Sequence, residues 1–195
     1  IDPHTHVVWS GDRAAEFEMR LAGATYMDIM AAGGGINNTV SQVRAATVDQ
    51  LIEETRPRLD RMLHAGTTTI EIKTGYGLDT ASELKQLEAI YRLAAEHPAD
   101  IISTFLGAHA IPPEYKGRTE EYVTLLVDEM IPAIADFARE QSRPMPFIDV
   151  FCEEGVFDVV QSRKILEAGK VQGMPLKVHA DEFVGLGGTG MAVEM

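Results

Sequence analysis

A single cysteine, Cys152, is all this sequence has, which excludes an internal disulfide and leaves no cluster of thiolates to hold a metal. That usage suits a reducing compartment, so the cytoplasm is the expected location. No apolar run approaches the roughly 20 residues that a membrane span needs, and no basic-then-apolar leader is visible, so a soluble, unsecreted protein is expected. Cations are scarce. Seventeen Lys and Arg stand against thirty Asp and Glu, a formal charge of −13, and a surface of that sign excludes phosphate-backbone recognition. Neither nucleic acid nor a membrane is an expected partner, and an anionic substrate would need a local cation. Repeats, low-complexity tracts and interdomain linkers are also lacking. The 195 residues, 45% of them hydrophobic, suffice for one well-filled core.

Short β-rich stretches alternate with longer amphipathic ones, the pattern of parallel-sheet α/β proteins. Strands are expected at Ile1–Val8, Thr67–Lys73, Asp100–Leu106, Phe147–Phe151 and Met174–Val178, and helices at Val48–Ala65, Ala81–Glu96, Thr119–Glu140 and Val159–Gln172. In the second helix Leu84, Leu87, Ile90 and Leu93 recur at helical spacing, with Glu83, Lys85 and Glu88 as its wet face. Gly66, Asp79-Thr80 and Pro98 supply stop and start signals, and Pro132 is expected to kink the third helix.

Polar residues gather where strands end: His4 and His6, Lys73-Thr74-Gly75-Tyr76, Gly107-Ala108-His109, Cys152-Glu153-Glu154 and His179-Ala180-Asp181-Glu182. Chemistry at five successive strand ends fits a (β/α)8 barrel, whose site is ringed by βα-loops, better than a doubly wound sheet with one switch point. A complete barrel needs about 250 residues, so a partial TIM-like barrel of about strands one to five is expected. His4 and His6 are two residues apart and project from one face of an extended strand, where both imidazoles can share an ion. His179 ends another strand. The glycine-rich stretch Ala31–Asn38 follows a helix and lacks a Lys-Ser/Thr partner, so it reads as a flexible loop rather than a phosphate cradle.

Seven segments carry a resemblance: Asp2-Pro3-His4-Thr5-His6, Glu16–Leu21, Ala32–Ile36, Lys73–Leu78, Thr104–Ala110, Phe151–Gly155 and His179-Ala180-Asp181-Glu182-Phe183. Together they resemble the amidohydrolase superfamily of metal-dependent hydrolases, and within it most nearly the imidazolonepropionases. The resemblance implies a hydrolase that opens the ring C–N bond of 4-imidazolone-5-propanoate, giving N-formimidoyl-L-glutamate in histidine degradation, and that works as a homodimer. It implies one zinc or iron per chain, held by His4, His6 and His179, with a strand-eight aspartate and a strand-six histidine expected beyond Met195. Residues 1–195 are thus expected to be the N-terminal part of the barrel, truncated at both ends.

The same resemblance implies the remaining roles. Glu182 would transfer a proton or orient the ring, and His109 would be a hydrogen-bond donor or electrophilic partner at the substrate. Arg13 would grip the propionate through two parallel hydrogen bonds, answering the shortage of cations. Tyr76, between two glycines, and Tyr26 would line the pocket. Read alone, each has a plainer role: a solvated loop glutamate, a core histidine, a surface arginine, a helix residue packed under a loop. No lysine stands at the end of strand four, so a mononuclear site is expected, and Lys73 does not alter that. His64 and His97, near helix C-termini, are assigned no chemistry. Two alternatives stay open: another mononuclear cyclic amidase or deaminase, and a catalytically inactive metal-binding fragment.

Overall fold

A computed structural model describes residues 1–25, 28–29 and 32–195. Five parallel strands, β1 (Asp2–Thr5), β2 (Thr69–Lys73), β3 (Asp100–Ala108), β4 (Phe147–Cys152) and β5 (His179–Ala180), lie side by side in chain order. A sheet wound in strict sequence has no point where the order reverses, and it curls into a half-barrel, as the strand-end chemistry predicts. Pairing is in register from Thr69 opposite Asp100 to Lys73 opposite Thr104. The fifth strand differs from expectation. Met174–Val178 pairs only through an isolated bridge from Leu176 to Ile148, and the ladder proper is His179–Ala180 beside Phe151–Cys152. Pro175 has no N–H to give a ladder, which moves regular pairing downstream.

Between the strands run α1 (Ala14–Leu21), α2 (Ile36–Ala45), α3 (Val48–His64), α4 (Thr80–Glu96), α5 (Thr119–Leu125), α6 (Ile131–Glu140) and α7 (Val159–Val171), and α8 (Gly188–Glu194) follows β5. Reciprocal capping boxes start α3 at Thr47 with Gln50 and α7 at Asp158 with Gln161. The single helix expected over Thr119–Glu140 is instead α5, a wide turn at Leu126–Met130, and α6. Pro132 cannot meet the carbonyl four residues back, and the chain widens ahead of it rather than simply kinking.

Period-two alternation decides what each strand buries. Ile70 and Ile72 of β2, and Ile148 and Val150 of β4, are fully buried under the helices, packing with Leu51, Leu59, Ile90 and Leu93 on one side and Leu126, Ile165 and Leu166 on the other. Each such side chain contributes about 1.5–3 kcal/mol on burial. The intervening residues, Glu71, Lys73 and Asp149, are also buried, at 3%, 2% and 1% exposure. On strands of period two they occupy the opposite face, the interior of the half-barrel.

Glu83, read from its spacing as part of the wet face of α4, is fully buried. Its carboxylate accepts from the backbone N–H groups of Gly75 (3.1 Å), Gly77 (2.8 Å) and Leu78 (2.8 Å), closing the turn after β2. A partner outside the helix overrides the helical pattern. Leaving a buried N–H unpaired costs about 1–3 kcal/mol, so Glu83→Ala is expected to lower stability by roughly 3 kcal/mol or more in urea denaturation. A loss below about 1 kcal/mol would show that the turn holds itself.

Candidate active site

The rings of His4, His6 and His179 converge at the ends of β1 and β5. Their ligand atoms lie within 4.8 Å of one another. His4 Nε2 is 2.9 Å from His179 Nε2 and 3.3 Å from His6 Nε2. The tautomer of His179 is set from behind, because its Nδ1 lies 2.9 Å from an Asp149 oxygen. A carboxylate accepts, so Nδ1 carries the hydrogen and Nε2 presents a lone pair to the cluster. Crowded nitrogen lone pairs aimed at one point, one of them oriented by an outer carboxylate, fit a bound cation of the zinc or iron class. The chain around them is fastened: Arg58 donates to the Val7 and Trp9 carbonyls and stacks on the Trp9 ring, and Gln86 Nε2 donates to the Val8 carbonyl.

Beneath the cluster runs a chain of ions. The Lys73 ammonium donates to Glu71 Oε1 (2.7 Å) and to Asp149 Oδ2 (2.8 Å), and Lys177 donates to the same Glu71 oxygen at 2.7 Å. Burial alone would raise the Asp149 carboxyl, but the His179 N–H and the Lys73 ammonium outweigh it and hold it at about 2. Engaged in this way, Lys73 serves as a buried cation.

Two clefts meet at His4 and His6. The larger, about 720 Å³, is lined by Ser10, Arg13, Thr39 and Tyr76 as well as the two histidines. The smaller, about 460 Å³, adds His109, His179, Glu182 and Phe183. Arg13 donates through Nε (3.0 Å) and Nη2 (2.9 Å) to Thr39 Oγ1, which fixes the guanidinium and leaves its Nη1/Nη2 end for a ligand. The Tyr76 phenol is raised by burial and stays protonated. The loop carrying Glu182 is tied on both sides. Glu153 accepts from the N–H groups of Phe183 and Val184, while Asp181 accepts from those of Leu186, Gly187 and Thr189. His109 stacks on His6 with centroids 4.7 Å apart, and its Nδ1 lies 2.9 Å from the Gly75 carbonyl. Tyr26 lies outside the described residues. His64 and His97 are remote, meeting the Asp60 carbonyl and carboxylate respectively.

Comparison with known proteins decides the family. No family model matches the chain. Over its whole length the chain is 55% identical to an imidazolonepropionase of Herpetosiphon aurantiacus, 53% to one of Chloroflexus aggregans and 52% to one of Symbiobacterium thermophilum. The chain belongs to the imidazolonepropionase family. It spans about half the length of these curated relatives, 45–47% of each.

For this family member, sequence reasoning reached the three histidines and missed their support. Glu71, Asp149 and Lys177 were overlooked, although a carboxylate amid apolar residues in Phe147-Ile148-Asp149-Val150-Phe151 has to find a buried partner. Glu71 and Lys73, two apart on one strand, carried the same signal.

Burial pushes the His6 ring down to about 3 and the His109 ring to about 4, so both are neutral in the folded protein. In an unfolded chain a histidine titrates near 6.5. The stability that comes from keeping these rings neutral is therefore fully present above about pH 6.5 and is lost as pH falls from there toward 4 and 3. The urea midpoint of the metal-free protein should fall between pH 7 and pH 5, and the fall should shrink in His109→Phe. A flat midpoint over that range would show that the rings are not held neutral.

Proposed function

We propose that the protein containing this chain hydrolyses the ring C–N bond of 4-imidazolone-5-propanoate, producing N-formimidoyl-L-glutamate in histidine degradation. The observation that carries the reading is that His4 and His6 of the histidine cluster line the same cleft as Arg13, whose guanidinium is tethered to Thr39. Purine or pyrimidine deamination has no propionate to occupy that guanidinium. The single cysteine suits the cytoplasm, and the likeness to imidazolonepropionases extends the reading to a homodimer acting on a small anionic substrate.

His4, His6 and His179 would hold one zinc or iron ion, both of which suit neutral imidazole ligands. When bound, such an ion supplies Lewis acidity and makes water a better nucleophile at neutral pH. The chain's own residues do the rest. Arg13 pairs with the propionate through its Nη1/Nη2 edge, and Tyr76 flanks the ring with a protonated phenol. In the reaction an oxygen from water bonds to the ring carbonyl carbon, the C–N bond breaks, and the departing nitrogen gains a proton. Glu182 can carry that proton from the attacking water to the nitrogen. Asp149 keeps His179 in the tautomer that faces the cluster.

The intact, metal-loaded protein should therefore consume 4-imidazolone-5-propanoate, followed by loss of its absorbance. Arg13→Lys keeps the charge and loses the planar fork. A charged hydrogen bond is worth about 1.5–3 kcal/mol, so KM should rise roughly ten- to a hundredfold with metal content unchanged. An unchanged KM with a reduced kcat would remove Arg13 as the carboxylate anchor. Asp149→Ala should weaken cobalt binding, measured by its visible spectrum, by about ten- to a hundredfold. Wild-type cobalt affinity in that variant would mean that His179 is oriented without it.

A further inference from the structure

Between His6 and Arg13 the chain is held at five consecutive residues by side chains from other elements. From α3, Arg58 Nη1 donates to the Val7 carbonyl (3.1 Å) and to the Trp9 carbonyl (2.7 Å), with its guanidinium carbon 3.6 Å from the centre of the Trp9 ring. One turn back on that helix, Glu54 accepts from Ser10 Oγ (2.9 Å) and from the Gly11 N–H (3.2 Å). From α4 the fully buried Gln86 donates to the Val8 carbonyl (3.0 Å) and accepts from the Tyr76 N–H (3.1 Å), which ties this loop to the turn after β2. At the far end a Cβ on Gly11, whose φ is +77°, would stand 2.9 Å from Gln42 Cγ. The loop therefore rests on α2, the helix whose Thr39 braces Arg13.

A segment after a strand end ordinarily moves, because few contacts hold it. Here the fastenings come from helices, and those of Arg58 and Glu54 are charge-assisted, about twice as strong as neutral hydrogen bonds. The two face each other at 3.7 Å across one helical turn. Glu54, Arg58 and Gln86 line neither cleft at the histidines, so they act on the backbone between the sites rather than on a ligand. We infer that these three are positioning residues that fix the distance from the histidine cluster to the Arg13 guanidinium, and that this fixed distance selects the length of the acid chain on a ring-bearing ligand. The inference rests on the reading of Arg13 as the carboxylate anchor, and it adds what sets the reach of that anchor. With the ring seated at the histidines, one methylene fewer leaves the charged hydrogen bonds unmade, and one more forces the chain to buckle.

Calorimetric binding of three lactams to the intact, metal-loaded protein tests this: 5-(carboxymethyl)-, 5-(2-carboxyethyl)- and 5-(3-carboxypropyl)-2-pyrrolidinone. The middle member should bind at least about tenfold tighter than either neighbour. In Glu54→Ala, which removes a side chain 39% exposed, and in Arg58→Lys, which keeps the charge and loses the planar fork, the ratio should fall toward one with metal content unchanged. A merely structural role would lower the folded fraction and leave the ratio of affinities where it was. Equal affinity across the series in the wild type, binding of none of the three, or an undiminished ratio in both variants overturns the inference. Turnover is read separately. A protein that consumes 4-imidazolone-5-propanoate yet binds the lactams alike keeps the hydrolysis and loses the length selection, and one that selects the middle lactam without turnover does the reverse.

Discussion

Lys73 is an ammonium sealed inside the half-barrel, and the geometry of the candidate site depends on how it is neutralised. Removing a charge from water costs several kcal/mol, so a buried cation survives only where anions are built around it. Glu71 lies two residues back on the same strand, and Asp149 reaches Lys73 from β4. Asp149 has an oxygen placed for both Lys73 and His179 Nδ1. The electrostatic need of one strand thereby sets the orientation of a histidine on another. Breaking such a group by removing one member is expected to be costly, because the rest stay buried and uncompensated.

The same device recurs in the loops. Glu83 gathers the turn after β2, Glu153 pins the segment after β5, and Asp181 caps the start of α8. Each is a carboxylate accepting backbone N–H bonds, and each stands beside a residue assigned to the chemistry: Tyr76 and His109 near the first, Glu182 between the other two. Loops offer few apolar contacts with which to hold a conformation, so charge-assisted hydrogen bonds take that part. In an acidic protein, several carboxylates that look like surplus surface charge are the fastenings of the loops around the candidate site.

How far this was legible in the sequence differs from residue to residue. The spacing of His4 and His6 was sufficient because strand geometry alone puts i and i+2 on one face. The parallel sheet and its order followed from strands alternating with helices and from polar residues at each strand end. Glu83 was misread because a helical pattern shows only which residues share a face. The demand that buried it comes from three N–H groups in a turn five to eight residues earlier. The fifth strand was placed too early because β-propensity does not register where a ladder partner is available, and Pro175 prevents regular pairing upstream.

By itself the sequence determined the element types, the strand faces, the family and the three converging histidines, since all of these follow from short-range periodicity and from side-chain chemistry at fixed spacing. Only the tertiary structure decided which carboxylate stands behind His179, which carbonyl meets His109, and that Arg13 is braced on Thr39 at the edge of the same cleft. Those pairs are separated in the chain by 26 to 34 residues. Their partnership depends on how far the sheet curls and where each turn closes, and no local pattern encodes a distance across a folded barrel.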